Sequence, residues 1–277
     1  MTLSNQINMK LNQIVDKEVD QNGIESEYLW DLSSKDFSRA LNRVNLSTFK
    51  VDFSFTSSTY PMRIKILMTL PNNQFLGLKI RGFDSDYDYL FISDEKFNIK
   101  IIEKLPKNTH YSNLTSCFYD DSIFIFVDYK REGKFYYCAK RYLIYQNKWI
   151  NLASLGFGFF NSCIGLKQKI IIKDGDGFGV LVYDILLDNY YSYKNIKIGW
   201  LCNCTFIQDL GKVYLIGRVQ DIEGYNIYTI DDSLSEWTFL GYYHNSFICD
   251  YFTHYKGSIY FVRGQIYEFS LKNEKNV

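Results

Sequence analysis

The chain has 277 residues, of which 47% are hydrophobic and 22% are charged. These values are ordinary for a globular protein and exclude disordered and collagen-like chains. Lys plus Arg and Asp plus Glu number 31 each, so there is no basic excess of the kind that indicates binding to a nucleic-acid backbone. Aromatic residues make up 18%, which favours β-strands because flat rings pack well on a pleated sheet.

The first residues contain no basic segment followed by an apolar one, which is the pattern of a secretory signal peptide. The longest apolar runs, such as Ile123–Val127, are far too short to span a membrane. We therefore expect a cytoplasmic protein with no membrane partner, whose six cysteines are reduced thiols.

Residues 1–45 allow two interpretations, and residues 46–277 are expected to form the main domain. A helical appendage is indicated by apolar residues at helical spacing, namely Leu29, Leu32, Phe37, Leu41 and Val44. As a helix, this segment would loosely resemble the second half of an F-box. Alternatively, Trp30-Asp31 followed by Phe37 matches part of the repeat described next and would belong to a further sheet. The following segment, Thr48–Phe55, alternates apolar and polar residues as a half-buried strand does.

A hairpin of two strand-like stretches around a tight polar turn recurs five times from residue 62 onward. Its turns fall at Asn72-Asn73, Asp120-Asp121, Lys167-Gln168, Leu210-Gly211 and Lys256-Gly257. The second stretch closes at Arg81, Asp128, Asp174, Gly217 and Arg263, at intervals of 43 to 47 residues. Even spacing of this kind predicts a repeat architecture.

Each copy continues into a third strand, and four of the five then have an aromatic residue seven positions beyond an apolar or aromatic one; the last copy has no fourth strand. The pairs are Leu90 with Phe97, Tyr142 with Trp149, Tyr183 with Tyr190, and Ile230 with Trp237. Four antiparallel strands per 40 to 50 residues are typical of a β-propeller.

These residues resemble the kelch repeat family, which has an apolar second strand, then Tyr-Asp and a Trp in this order. Cys163–Gly175, Tyr183-Asp184 and Tyr190 follow that order, although the double glycine of kelch is not kept. The resemblance implies an all-β fold, a kelch-like β-propeller of four-stranded blades. Six blades are favoured, and the last blade then takes a strand from Ile7–Val15. The alternative has five blades closed by the N-terminal strand Thr48–Phe55, with the helical appendage before it.

The cysteines are expected to be small buried hydrophobes rather than ligands. Cys117 and Cys163 are placed at the same point of neighbouring repeats, where equivalent side chains are expected to be too far apart for a disulfide. Cys202 and Cys204 form a lone CxC pair without a nearby histidine, so no metal site and no cofactor are expected.

The binding surface is expected on the propeller face that carries the longer loops. In a four-stranded antiparallel blade, the loop between the second and third strands lies on the same face as the connection to the next blade. Loops on a rigid scaffold usually hold binding residues, and Arg and Tyr are enriched in interface hot spots. The partner-binding residues predicted on this basis are Arg81, Tyr129, Arg131, Phe178, Arg218, Tyr242, Tyr243 and Arg263.

The function expected from this pattern is that of a non-catalytic scaffold that binds a partner protein and no nucleic acid. The three histidines have no ligand spacing, and no nucleophile motif accompanies them, so no catalytic residue is predicted. The alternative is a carbohydrate-binding or carbohydrate-modifying propeller, which would use aromatic platforms.

Overall fold

The fold is that of a β-propeller, as seen in a computed structural model. The structure describes residues 28–35, 38–45, 50–56, 63–72, 74–80, 89–94, 96, 98–105, 110–131, 134–153, 160–174, 179–192, 201–209, 212–219, 224–230, 237–243, 251–255, 258–262 and 266–270. Within these ranges the chain forms 22 strands in six antiparallel sheets, which we call blades 1 to 6 in chain order.

The first three blades take the strands up to residue 151. Blade 1 contains β1 (Tyr28–Lys35), β2 (Ser38–Asn45) and β3 (Lys50–Thr56). Blade 2 contains β4 (Arg63–Thr69), β5 (Phe75–Ile80), β6 (Tyr89–Ser93) and β7 (Ile99–Lys104). Blade 3 contains β8 (His110–Tyr119), β9 (Ser122–Arg131), β10 (Lys134–Leu143) and β11 (Lys148–Asn151).

The last three blades follow the same order of strands. Blade 4 contains β12 (Phe160–Leu166), β13 (Lys169–Asp174), β14 (Val180–Asp184) and β15 (Asn189–Ser192). Blade 5 contains β16 (Leu201–Asp209), β17 (Lys212–Val219), β18 (Tyr225–Ile230) and β19 (Trp237–Tyr243). Blade 6 contains β20 (Tyr251–Tyr255), β21 (Ser258–Val262) and β22 (Ile266–Ser270). The first strands of successive blades contact one another from β4 to β20.

The apolar core lies in layers between neighbouring blades. In β9, Ile123 and Ile125 pack against blade 2, whereas Phe124 and Phe126 pack against blade 4. Successive side chains of a strand point to opposite faces, so a strand whose run is wholly apolar fits a sheet that is covered on both sides. Comparable layers lie between blades 4 and 5 and between blades 5 and 6.

The hairpin turns predicted from the repeat are confirmed where the structure describes them. Asp120, Asp121, Lys167 and Gln168 all have positive φ values between 47° and 61°. Two consecutive positive φ values define the two-residue turn whose twist matches that of the flanking strands. These turns place the first and second strands of blades 3 and 4 side by side.

The predicted pairs of third- and fourth-strand residues are confirmed in three blades. Tyr142 lies opposite Trp149, Tyr183 opposite Tyr190, and Ile230 opposite Trp237. In blade 3 the indole Nε1 of Trp149 donates a hydrogen bond of 2.9 Å to the carbonyl of Ile102 in blade 2. The aromatic position therefore joins neighbouring blades. The fourth predicted pair is not formed, because Leu90 lies opposite Glu103; Phe97 itself lies outside the described residues.

A tyrosine on the third strand also fixes the turn that follows it. The hydroxyl of Tyr183 donates a 2.7 Å hydrogen bond to Asp188 Oδ1, and Tyr142 donates likewise to Asn147 Oδ1. Asp188 and Asn147 both have left-handed φ values, near 47° and 50°. Burial, together with the hydrogen bond to Asp188, raises the pKa of Tyr183 well above its ordinary value.

The helical interpretation of residues 29–44 is wrong. This segment forms β1 and β2, which pair in antiparallel register from Tyr28 with Asn45 to Lys35 with Ser38. The helical spacing of the apolar residues is a weak local preference, and hydrogen bonding between strands of blade 1 outweighs it. The strand predicted at Thr48–Phe55 is β3, but it pairs with β2 and not with the last blade, contrary to the five-blade alternative.

Six sheets are present within the described ranges, and the number of blades that close the ring stays a prediction. Ile7–Val15, the strand expected to complete the last blade, lies outside the described residues. The domain boundary proposed at residue 45 also stays a prediction.

Candidate functional site

The two ends of the blades differ in how their strands are connected. At the end that we call the turn end, first strands pass into second strands, and third into fourth, through short hydrogen-bonded turns such as Asp120-Asp121 and Ile144–Asn147. At the opposite end, the loop end, second strands pass into third strands, and each blade leads to the next. The predicted partner-binding residues that the structure describes belong to the loop end.

The structure describes five of these eight residues at least in their backbone. Tyr129 and Arg131 end β9, Arg218 lies near the end of β17, and Tyr242 and Tyr243 end β19. The other three residues lie outside the described ranges, namely Arg81, Phe178 and Arg263.

In blade 5 the loop end brings Arg218 and Tyr243 into one row. Arg218 lies opposite Tyr225 of β18, and Tyr225 lies opposite Tyr243 of β19. Residues directly opposite one another share a face of the sheet. Tyr225 is fully buried in the layer between blades 5 and 6, and Tyr243 packs against the same layer. Arg218 thus lies on the face of blade 5 that is packed against this layer.

Tyr242 lies on the other face of β19, so the structure separates it from Arg218 and Tyr243. It is 42% exposed and lies opposite Asn226. Its ring rests on Gly224, where a Cβ atom would lie only 2.4 Å from the ring carbon Cζ and the hydroxyl oxygen. Gly224 also has a φ of +147°, which side chains rarely permit. The absence of a side chain at Gly224 therefore leaves the space that the Tyr242 ring occupies.

Replacing Gly224 with Ala is expected to lower the free energy of unfolding by about 2 kcal/mol and to displace Tyr242. The added Cβ would also lie 2.6 Å from the backbone oxygen of Tyr243, which cannot rotate away. Urea denaturation measures the first effect. Gly241→Ala is the matched control, because a Cβ at this neighbouring position meets nothing within 4 Å. Equal stability of the two variants would contradict the assigned role.

In blade 3 the loop end carries a row of three tyrosines. Tyr129 of β9 lies opposite Tyr111 of β8 and Tyr136 of β10, while Arg131 lies opposite Lys134. Tyr136 is 40% exposed. Blades 3 and 5 therefore both present tyrosine and arginine positions at the loop end.

Two fully buried charged residues at the loop end were not predicted as site residues. Asp128 of β9 and Lys173 of β13 each have 0% exposure. Lys173 lies opposite Ser162 and Val180, and Asp128 lies opposite Tyr137. The available signal was a charge directly after an unbroken apolar run, as in Ile170-Ile171-Ile172 before Lys173. The sequence alone did not show that the side chains of Asp128 and Lys173 are buried.

The described ranges contain no group of three His, Cys, Asp or Glu side chains arranged to hold a metal ion. Nor do they contain a helix with the length and hydropathy that a membrane span requires.

No protein-family model matches the chain, and no curated protein matches it. Among solved structures, the chain is similar to a functionally unknown protein from Desulfotomaculum acetoxidans DSM 771, with 10% identity and a TM-score of 0.50 over 86% of this chain and 73% of that one. It is also similar to YjhT, with 11% identity and a TM-score of 0.46 over 63% of this chain and 64% of YjhT.

A third similar structure is the S511A mutant of puromycin hydrolase complexed with PGG, with 11% identity and a TM-score of 0.46 over 81% of this chain and 40% of that one. The chain thus spans less than two thirds of YjhT and of the hydrolase. Identities this low concern the fold alone. The propeller fold is confirmed, and membership of the kelch family stays a prediction.

Proposed function

We propose that the chain is a non-catalytic binding module that holds a partner protein at its loop end. One observation carries the proposal: three successive blades place a charged residue near the loop end of their second strand. Asp128 and Lys173 are fully buried, and Arg218 is half-buried.

Fully buried Asp and Lys side chains are rare in proteins, so two of them near the ends of second strands distinguish this end of the blades. Removing a charged group from water costs several kcal/mol, and apolar residues of similar volume are often neutral or stabilising in its place. The central residues of the same two second strands are isoleucine and phenylalanine, namely Ile123–Phe126 and Ile170–Ile172. Charges retained at the cost of stability are typical of functional sites, and these lie next to the loops where binding residues are expected.

The chemistry of the predicted site residues favours an acidic segment of a partner protein. Four of the eight predicted site residues are arginines, namely Arg81, Arg131, Arg218 and Arg263, and the other four are aromatic. Arginine binds carboxylates through paired hydrogen bonds, and tyrosine buries a large apolar area at low entropic cost. A partner loop that is rich in Asp or Glu and contains an apolar side chain would bind both the arginines and the aromatic residues.

Replacing Arg81, Arg218 and Arg263 together with Ala is expected to weaken partner binding by 100-fold or more, since interface arginines often contribute over 1 kcal/mol each. The partner is first identified by cross-linking and mass spectrometry, and its affinity is then measured by titration. A matched control replaces three exposed lysines of the turn end, Lys96, Lys148 and Lys212, and removes the same charge. Equal affinity of the two triple variants would overturn the proposal.

A carbohydrate ligand is the second candidate, and the exposed ring of Tyr242 on Gly224 is the observation that favours it. A flat aromatic face held rigidly against the backbone is suited to stacking on a sugar ring. A glycan array distinguishes the two. The second candidate would be favoured if the chain binds a glycan, if Tyr242→Ala abolishes this binding, and if no protein partner is found. Tyr145→Ala at the turn end serves as control, because Tyr145 is 83% exposed.

A further inference from the structure

Cys117 and Cys163 face each other across the boundary between blades 3 and 4. Both belong to the apolar layer between these blades, with 5% and 7% of their surface exposed. Their side chains therefore lie in one layer, an arrangement that the comparison of equivalent repeat positions did not reveal. The hairpin turns of the two blades are 47 residues apart, whereas the cysteines are 46 apart. A shift of one residue moves a side chain to the opposite face of a strand.

The first strands of the two blades approach closely at this point. A Cβ atom at Gly165 of β12 would lie 2.4 Å from the Cβ of Tyr119 in β8, so only glycine permits the approach. The hydroxyl of Tyr119 also accepts a 2.7 Å hydrogen bond from the backbone N–H of Gln168. Cys117 and Cys163 each lie two residues before this contact, on the same faces as Tyr119 and Gly165.

The sulfur of Cys163 accepts hydrogen bonds from two donors. The Thr115 hydroxyl donates to it over 3.7 Å, and the thiol of Cys117 donates to it as well. Burial and this hydrogen bond raise the pKa of the Cys117 thiol, which therefore keeps its proton. The two thiols thus interact within the same buried layer, Cys117 as the donor and Cys163 as the acceptor.

We propose that Cys117 and Cys163 form a dithiol site that a peroxide oxidises to a disulfide linking blades 3 and 4. Both residues belong to the described first strands, where neighbouring strands hold them in place. The oxidant is a small hydroperoxide, because the sulfur atoms lie in a layer that larger molecules do not reach.

The reaction balances in two steps. Cys163 gives up its proton and its sulfur attacks one peroxide oxygen; the O–O bond breaks, the released hydroxide takes up that proton and leaves as water, and Cys163 becomes a sulfenic acid. Cys117 then loses its proton and attacks the Cys163 sulfur; the S–O bond breaks and the hydroxide leaves with that proton as a second water. Two thiols are oxidised to one disulfide while one hydrogen peroxide is reduced to two waters.

The disulfide would close the chain between residues 117 and 163, a segment that includes Tyr129 and Arg131 of the candidate site. A cross-link of this length removes conformational freedom from the unfolded chain. Oxidation is therefore expected to raise the Tm by roughly 5 to 10 °C, and reduction by dithiothreitol is expected to reverse the rise.

Peptide mapping of the full chain after treatment with hydrogen peroxide tests the site without any substitution. We expect the peptides containing Cys117 and Cys163 to be linked in most molecules and to separate on reduction. Recovery of both cysteines unlinked, whether alkylated or singly oxidised, would overturn the proposal.

Two variants test the assignment further. In Cys163→Ser, neither the linked peptide nor the Tm rise is expected. Cys204→Ser is the matched control, because Cys204 is equally buried in blade 5 but its thiol donates to the Leu201 carbonyl; it is expected to keep both effects. If Cys163→Ser fails to fold, Cys117→Ser provides the same comparison. A Tm rise that persists without either cysteine would contradict the proposal.

Discussion

Replacing Gly165 with Val is expected to lower the free energy of unfolding by about 3 kcal/mol or more. The new side chain would overlap Tyr119 Cβ, and because that atom is fixed to the backbone, β8 and β12 would have to separate. The loss is a large fraction of the stability of an ordinary domain. Urea denaturation followed by tyrosine and tryptophan fluorescence measures it.

Gly179→Val is the matched control in the same blade, because a Cβ at Gly179 meets nothing within 4 Å. We expect it to change the stability by less than about 1 kcal/mol. The Gly165 variant should also lose the Cys117–Cys163 cross-link, since the strands that carry the two sulfurs would no longer be in contact. If both valine variants were equally stable, the close approach of blades 3 and 4 would be refuted.

Deleting residues 1–45 is expected to make the chain aggregate or melt over a broad temperature range. The deletion removes β1 and β2 and leaves β3 without its hydrogen-bonded neighbour. An unpaired strand edge offers a row of N–H and C=O groups to other chains. Size-exclusion chromatography and thermal melting of the truncated and full-length chains make the comparison.

Deletion of residues 1–27 is the control, because it keeps all three strands of blade 1. It also probes the strand expected at Ile7–Val15, so any loss of cooperativity in this shorter deletion would be assigned to ring closure. A truncation at residue 45 that remains monomeric with a sharp melt would contradict the six-blade prediction.

The repeat was predictable from the sequence because its signals are local. Asp120-Asp121 and Lys167-Gln168 lie between apolar runs, and such turns need no knowledge of distant residues. The pairing of Tyr142 with Trp149 follows from the length of the four-residue turn between them.

What could not be predicted depends on contacts between blades. Cys163 lies one residue farther from its hairpin turn than Cys117 does, and this offset places the two side chains on facing sides of their strands. Aligning the repeats on the cysteines conceals the offset. The burial of Lys173 is likewise a property of the packed layer between blades 4 and 5. The choice of strand over helix at Tyr28–Asn45 was decided by pairing with β3.

The tyrosine-fixed turns restrict how these blades can change length during evolution. Tyr142 and Tyr183 are 41 residues apart, as are Asn147 and Asp188, whereas the preceding hairpin turns are 47 apart. The hairpin of β9 and β10 is therefore six residues longer than that of β13 and β14, although both have the same register at the turn end. Between blades 3 and 4, the six additional residues of this hairpin lie at the loop end. We expect longer loops at this end to leave the strand pairing at the turn end unchanged, so the length and sequence of the loop end can vary.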